Sequence, residues 1–161
     1  MLRMLAVDDD RVVQRYLTAL LAPHGRVDLA ADGDEAVACV RRAREAGAPY
    51  DLVVMDIMMP GLDGLSATLA IREQERAQGA RPVRIVVLSC LGDPEHMLRA
   101  QYECGADAYL TKPLEAATLA ESLAGLGLAA NPLDALDELD ELDEPDGPDD
   151  PARRAEGTAA P

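Results

Sequence analysis

The sequence predicts an α/β fold in which a parallel sheet of five strands is covered by five helices. Short apolar runs alternate with longer amphipathic stretches through residues 1–128, and this alternation is typical of repeated βα units. Three of the apolar runs lead directly into a polar residue, namely Asp8, Asp56 or Ser89. If the strands are parallel, these polar ends share the edge of the sheet at which open α/β folds bind their ligands.

The first half of the chain supplies two strands and two helices. Residues 4–7 are an apolar strand, and apolar residues at helical spacing between 12 and 21 predict the helix that follows it. A PHG segment at 23–25 ends that helix, and residues 27–30 form a brief second strand. Asp32 and Gly33 then make a turn and a candidate cap for the second helix, whose apolar face spans 36–43.

The second half of the chain supplies the other three strands. The third strand covers residues 52–55, and the helix after it opens at Asp63 and Gly64. A break at 78–82 precedes the β-branched fourth strand at 83–88. The predicted domain is completed by a helix over 94–104, a strand over 107–110 and a helix over 115–126. It ends at residue 128 and is long enough to bury a substantial core.

The composition changes from residue 129 onward, where we predict an acidic, disordered tail. Residues 129–161 hold eleven acidic and two basic residues, so they account for most of the chain's net charge of −15. Leucines at every third position, from Leu133 to Leu142, leave open a short amphipathic helix on a partner. High charge and few aromatic residues favour disorder instead.

Composition also argues against several classes of function. This acidic sequence has no stripe of clustered basic residues, which argues against direct contact with nucleic acid and against anionic membrane surfaces. The N-terminal apolar run spans only residues 1–7, too short for a signal peptide or a membrane span, so we expect a cytoplasmic protein. Cys39, Cys90 and Cys104 are widely spaced, as expected for reduced thiols rather than a disulfide framework or a zinc site.

The aspartates at the predicted strand ends are the candidate metal ligands. Considered separately, Asp8, Asp9 and Asp10 would cap a helix, and Asp56 would be a turn residue before Pro60. Three carboxylates gathered at one sheet edge would repel one another, however, so a cation is needed to hold them there. Hard oxygen ligands of this kind predict Mg²⁺, which also takes backbone carbonyls, waters and phosphate oxygens.

Lys112 and Ser89 add the groups that a phosphoryl site requires. Lys112 follows the fifth strand, where its ammonium could neutralise phosphoryl oxygens beside the carboxylates. Ser89 ends the fourth strand, where its hydroxyl could donate a hydrogen bond, although either residue alone would be uninformative. A metal, an ammonium and a hydroxyl around one carboxylate predict phosphoryl transfer to Asp56.

Four motifs, taken in order, resemble the receiver domain of bacterial two-component response regulators. They are residues 6–10 (AVDDD), 55–64 (MDIMMPGLDG), 87–89 (VLS) and 105–113 (GADAYLTKP). The resemblance covers residues 2–128 and is to stand-alone receivers of the chemotaxis-regulator type. It implies a doubly wound, flavodoxin-like sheet with the strand order 2-1-3-4-5.

The resemblance also implies roles in phosphorylation. Asp56 would accept the phosphoryl group, and Lys112 and Ser89 would grip it. Tyr109 would be the aromatic switch that turns inward when the Ser89 hydroxyl moves. A packing role on a half-buried strand explains a tyrosine equally well.

The metal ligands implied by the resemblance come from two strand ends. Asp9 would bind Mg²⁺ directly and Asp8 through water. Asp56 and the backbone carbonyl of Met58 would complete the set of protein ligands. Asp10 matches no metal position and is expected to cap the first helix.

The partners implied by the resemblance are proteins. A sensor histidine kinase or a histidine phosphotransfer protein would supply the phosphoryl group. Phosphorylation would then bias the face made by the fourth helix, fifth strand and fifth helix, which would bind a downstream protein or a second copy of the chain. Residues 129–161 show no helix-turn-helix pattern, basic helix or enzyme motif, so we predict a receiver without a DNA-binding output domain.

Two other classes of protein fit part of the pattern. Phosphatases that form an aspartyl phosphate with Mg²⁺ place the nucleophile in a DxD motif after the first strand, whereas the better nucleophile here follows the third. Turnover of an aryl phosphate would favour the phosphatase, and a single phosphorylation by acetyl phosphate favours the receiver. An unphosphorylated scaffold has no physical need of a crowded carboxylate cluster. We therefore predict a signalling protein rather than an enzyme.

Overall fold

The computed structural model describes residues 1–90 and 94–129, apart from the side chains of His96 and Gln101. Five parallel strands form one sheet: β1 (Leu2–Val7), β2 (Gly25–Ala30), β3 (Leu52–Asp56), β4 (Arg84–Ser89) and β5 (Ala108–Thr111). Their order across the sheet is β2-β1-β3-β4-β5. The α-helices are α1 (Arg11–Leu21), α2 (Gly33–Glu45), α3 (Gly64–Gln78), α4 (Pro94–Leu98) and α5 (Ala116–Gly125). The predicted fold class and strand order are confirmed, with β1 and β2 each starting earlier than the apolar pattern indicated.

The fourth helix differs from the prediction in its geometry. The segment predicted as one helix over 94–104 is α-helical only over Pro94–Leu98 and continues as a π-helix over Arg99–Glu103. There the Cys104 N–H donates to the Arg99 carbonyl at 3.0 Å, so the turn accommodates one more residue than an α-turn. Apolar periodicity does not distinguish these two kinds of turn, which is why the sequence indicated a single helix.

Aspartates cap three of the helices. Asp10 accepts a hydrogen bond from the Val12 N–H at 2.7 Å, which is the capping role predicted for it. Asp32 and Asp63 accept in the same way from backbone amides in the first turns of α2 and α3. Such caps satisfy amides that have no partner inside the helix. They fix the point at which each helix begins after the loop at the carboxyl end of a strand.

The interior strands β1, β3 and β4 are buried on both faces, because their side chains point alternately to either side and helices cover each side. One face packs against α2 and α3 and includes Leu5, Val53 and Met55. The other face packs against α1 and α5 and includes Met4 and Val54. Burial on both faces explains why these interior strands appear in the sequence as continuous apolar runs.

A network of ion pairs joins α2, α3, β4 and the residue before β5. The Arg72 guanidinium on α3 lies 2.7 Å from Glu75 and 2.9 Å from Asp107. Arg44 on α2 pairs with Glu75 at 2.9 Å, and Arg84 on β4 pairs with Asp107 at 3.0 Å. Glu75 is only 2% exposed, so arginines rather than water compensate its charge. The sequence pattern did not indicate these pairs.

Three further expectations concern membranes, cysteines and the tail. Within the part of the chain that the structure describes, no helix combines the length and apolar character needed to cross a bilayer. Cys39, Cys90 and Cys104 are free thiols, as predicted. The predicted acidic tail falls at 130–161, outside the described residues, so the tail and the domain boundary at 128 stay predictions.

Gly64, the first residue of α3, lies directly against the backbone at the end of β3. A Cβ atom on Gly64 would come within 1.9 Å of the Asp56 carbonyl oxygen. The Gly64 N–H donates to the Ile57 carbonyl at 3.0 Å, which closes the loop between β3 and α3. Because the opposing atom belongs to the backbone, only a residue without a side chain fits here.

Replacing Gly64 with alanine is expected to lower the free energy of unfolding by about 1–3 kcal/mol, the usual cost of forcing a methyl group into a packed site. Gly125 in α5 is the matched control, since a Cβ atom there would meet nothing within 4 Å. Gly125→Ala should instead stabilise the chain, by about 0.4–1 kcal/mol. Urea unfolding followed by circular dichroism measures both effects. A Gly64→Ala variant as stable as the parent would contradict the close approach.

Candidate functional site

The candidate site lies at the carboxyl edge of the sheet, where four strands place side chains predicted to act together. Asp56 is the last residue of β3, and Asp8 follows β1. Ser89 ends β4, and Lys112 follows β5. Because the strands are parallel and adjacent, these ends lie side by side.

The carboxylates of Asp8, Asp9 and Asp56 form one cluster. One oxygen from each residue lies within 4.8 Å of the other two. Asp8 and Asp56 are buried, with 1% and 3% of their surface exposed, whereas Asp9 is open to solvent. Hard oxygen donors at this separation fit Mg²⁺, and the exposed side leaves room for the waters that this ion retains.

Lys112 lies between the two buried carboxylates. Its Nζ is 2.6 Å from Asp8 Oδ2 and 3.2 Å from Asp56 Oδ1. The backbone N–H of Lys112 donates to the Ser89 carbonyl at 2.8 Å, which ties the end of β5 to the end of β4. One ammonium does not neutralise three carboxylates, so the site keeps a negative charge that favours binding of a cation.

Burial and neighbouring charges shift the pKa values of Asp56 and Lys112. Burial raises the pKa of Asp56; Lys112 and the Met58 N–H oppose this rise, and the charge of Asp8 adds to it. Burial lowers the pKa of Lys112, but hydrogen bonds and charges from Asp8 and Asp56 outweigh it, so the pKa lies above its ordinary value. Lys112 therefore remains an ammonium at neutral pH, whereas the charge on Asp56 depends on the positive groups around it.

The loop after β3 holds Met58 beside Asp56. The Ile57 N–H donates to the Leu88 carbonyl at 3.0 Å, so β3 and β4 stay in contact as the loop begins. Gly61 has a φ of +77°, which agrees with the turn predicted beside Pro60. The side chain of Met58 is exposed, and its backbone lies close enough to Asp56 for the N–H to affect the carboxylate.

Ser89 and Tyr109 lie on the neighbouring strands β4 and β5. Ser89 is 3% exposed and pairs in register with Thr111, while Tyr109 pairs with Val87. The Tyr109 ring is partly buried and packs against the core on the α2 and α3 side of the sheet. The phosphoryl contact assigned to Ser89 and the switch role assigned to Tyr109 stay predictions.

Gln14 on α1 contacts the backbone of Asp8, although no sequence pattern assigned it a role. Its side-chain Nε2 donates to the Asp8 carbonyl at 2.7 Å and to the Ala30 carbonyl at 3.4 Å. Both acceptors are backbone groups, which every residue possesses. A glutamine on an amphipathic helix therefore carries no sequence signal for such a contact.

An apolar groove runs beside Lys112 between α1 and the segment after β5. Its volume is about 440 Å³, and its apolar lining residues are Val12, Val13, Tyr16, Leu17, Leu88, Pro113 and Leu114. The Tyr16 hydroxyl donates to the Leu114 carbonyl across the groove. Val12 is 74% exposed and Tyr16 is 46% exposed, so the groove has an open apolar rim.

The sequence matches a known family over most of its length. The family model for the response regulator receiver domain matches residues 4–124. The transcriptional regulatory protein AruR of Pseudomonas aeruginosa is 36% identical over 113 residues, which cover 70% of this chain and 43% of that protein. The sensory/regulatory protein RpfC of Xanthomonas campestris is 36% identical over 132 residues, which cover 82% of this chain and 17% of that protein. The chain thus spans less than half the length of these curated relatives.

Solved structures with the same fold include one that holds a magnesium ion. The receiver domain of the sensor histidine kinase PA1611 from Pseudomonas aeruginosa, with a magnesium ion coordinated in the active site cleft, is 36% identical with a TM-score of 0.64. The match covers 78% of this chain and 98% of that chain. A chain of the CheX-CheY-BeF3-Mg complex from Borrelia burgdorferi is 27% identical with a TM-score of 0.69, covering 78% of this chain and 89% of that chain.

Proposed function

Because the chain belongs to the family of response regulator receiver domains, we propose that it is a phosphoacceptor in two-component signal transduction and that Asp56 is the residue phosphorylated. The observation that carries the proposal is the convergence of Asp8, Asp9, Asp56 and Lys112 at one edge of the sheet. Carboxylates whose oxygens lie within 4.8 Å of one another repel, and the single ammonium of Lys112 does not neutralise all three, so the cluster favours a bound cation. Such a cluster therefore supports a functional role at this edge.

In the proposed reaction, an Asp56 oxygen attacks the phosphorus of a phosphohistidine, the bond to the imidazole nitrogen breaks, and an aspartyl phosphate forms. Asp56 must be an anion to attack, and the ammonium of Lys112 at 3.2 Å favours that form. Bound Mg²⁺, held by Asp9, by Asp8 through water, by Asp56 and by the Met58 carbonyl, would neutralise charge on the phosphoryl oxygens.

Lys112 and Ser89 would hold the transferred group. Lys112 already lies beside Asp56, so its ammonium can contact a phosphoryl oxygen after a small movement. The Ser89 hydroxyl, at the end of the adjacent strand, can donate to a second oxygen. A doubly charged group at Asp56 would attract both side chains and so alter the packing around Tyr109 on β5.

We infer that phosphorylation of Asp56 changes the binding of a partner protein at the face formed by α4, β5 and α5. Three large apolar side chains in the α4 region, Met97, Leu98 and Tyr102, are 42%, 55% and 80% exposed. A cluster of exposed apolar residues favours contact with another protein surface. The partner at this face would be a downstream protein or a second copy of the chain.

Acetyl phosphate provides a direct test of the proposed function. The full chain incubated with acetyl phosphate and Mg²⁺ should gain the mass of one phosphoryl group, and excess EDTA should prevent the gain. The added mass should be lost on treatment with hydroxylamine, which cleaves acyl phosphates. A parent chain that gains no mass at any Mg²⁺ concentration would overturn the proposal. Repeated turnover of an aryl phosphate would instead favour an aspartate-based phosphatase.

We further infer that the phosphodonor, a histidine kinase or a histidine phosphotransfer protein, docks over the groove beside Lys112. A phosphohistidine must come within bonding distance of the buried Asp56, so the donor has to cover the surface around that carboxylate. The groove is adjacent, apolar and open along Val12 and Tyr16. Burial of these side chains by the donor would contribute binding energy and would exclude water from the reacting atoms.

Replacing Val12 with glutamate is expected to lower kcat/KM for phosphotransfer from the protein donor by about tenfold or more, because a charge would be buried without a partner. Phosphorylation by acetyl phosphate, which needs no docking surface, should stay unchanged. Leu69→Glu is the matched control, since Leu69 is also exposed but lies on α3. Equal phosphotransfer to the Val12→Glu variant and the parent would contradict docking over the groove.

A further inference from the structure

Gln14 on α1 bridges the carboxyl ends of two strands. Its Nε2 donates to the Asp8 carbonyl at 2.7 Å and to the Ala30 carbonyl at 3.4 Å. The Asp8 N–H donates to the same Ala30 carbonyl at 3.2 Å, just beyond the last pair between β1 and β2. The side-chain amide therefore fixes the orientation of the peptide group that joins Asp8 to Asp9.

The residues on either side of Asp9 are held by other contacts. Asp8 Oδ1 accepts a hydrogen bond from the Asp10 N–H at 2.9 Å, and Asp8 Oδ2 lies 2.6 Å from Lys112. Asp9 is the exposed member of the acidic cluster. The direction in which its side chain leaves the backbone depends on the orientation of the Asp8–Asp9 peptide. Repulsion by the two buried carboxylates would favour rotation of Asp9 toward solvent if that peptide were free to turn.

We propose that Gln14 is a positioning residue for the metal site: it holds the Asp8–Asp9 peptide so that the Asp9 carboxylate faces the cluster. This inference rests on the proposed function, because it concerns the affinity of the same site for Mg²⁺. As a neutral donor, Gln14 provides this orientation without adding a positive charge that would repel the ion. Groups that orient metal ligands commonly change metal affinity by roughly 10–100-fold when they are replaced.

Titration of Mg²⁺ into the ¹⁵N-labelled full chain, followed through the amide signals of Asp9 and Asp56, tests the proposal. Gln14→Met removes the donor but keeps a straight side chain with good helix propensity, and its Kd for Mg²⁺ should rise about tenfold. Gln14→Asn, whose amide is one methylene too short to reach, should bind Mg²⁺ with a similar loss. Gln78→Met is the matched control, because Gln78 is exposed at the end of α3, and it should bind like the parent.

Phosphorylation by acetyl phosphate separates positioning from general damage to the site. In both Gln14 variants the Mg²⁺ concentration for half-maximal rate should rise, while the rate at saturating Mg²⁺ should match that of the parent. Parent-like Kd values in both variants would overturn this inference and leave the proposed function intact. A reduced rate at saturation in both variants would also overturn it. A parent chain that does not bind Mg²⁺ would overturn the proposed function itself.

Discussion

Replacement of Asp56 with asparagine is expected to abolish the gain of phosphoryl mass from acetyl phosphate. The proposed chemistry requires an anionic oxygen as the nucleophile, and an amide oxygen is a far weaker one. Asparagine keeps the size of the side chain, so a loss of phosphorylation would report on the missing charge.

Intact mass measurement with acetyl phosphate and Mg²⁺ determines this outcome directly. Asp34→Asn is the matched control, because Asp34 is exposed in the first turn of α2, and it should be phosphorylated like the parent. Full phosphorylation of the Asp56→Asn variant would show that another carboxylate is the acceptor. Hydroxylamine treatment and peptide mapping would then locate that acceptor among the remaining aspartates.

The same variant should fold at least as well as the parent when metal is removed. Burial raises the pKa of Asp56, so its carboxyl binds a proton more readily in the folded chain than in the unfolded chain. The stability that this group contributes is therefore present at low pH and is lost as the pH rises through the raised pKa. At neutral pH in EDTA, Asp56→Asn should have a higher Tm than the parent. That result would exclude misfolding as the cause of lost phosphorylation.

The strands, the helix caps and the acidic cluster could be predicted from the sequence, each for a physical reason. The interior strands are buried on both faces and therefore appear as unbroken apolar runs. Asp10 shows its capping role by its place immediately before an amphipathic segment. The closeness of Asp8 and Asp56 can be predicted once the strands are taken to be parallel. The strand order that makes β1 and β3 neighbours was instead predicted from the resemblance to receiver domains.

Other features depend on contacts that no sequence pattern indicates. The π-turn at the end of the fourth helix differs from an α-turn only in which carbonyl accepts each N–H. Gln14 contacts backbone carbonyls, and any residue at the acceptor positions would present the same groups. Arg72 reaches Asp107 from a distant part of the chain, and its own neighbourhood shows an ordinary amphipathic helix. Long polar side chains have many staggered conformations, so their partners depend on the assembled fold.

Replacement of Arg72 with methionine is expected to lower the free energy of unfolding by about 3 kcal/mol. Arg72 donates to Glu75 and Asp107, and also to the backbone carbonyls of Gly105 and Val83. Methionine fills a similar volume but removes this donor from the two carbonyls and one cation from each carboxylate in a largely buried region. We place the loss at the lower end of the range for buried pairs, because other arginines still compensate both carboxylates.

Urea unfolding followed by far-ultraviolet circular dichroism measures this loss at pH 7. Arg41→Met is the matched control: the Arg41–Glu45 pair is exposed and its charged atoms are 3.9 Å apart. Its removal should change the free energy of unfolding by at most about 0.5 kcal/mol, as for other exposed helical pairs. The double variant Arg72→Met with Glu75→Gln should recover part of the lost stability, because it no longer buries an undercompensated carboxylate. Equal stabilities of Arg72→Met and Arg41→Met would show that the network contributes no more than a surface ion pair.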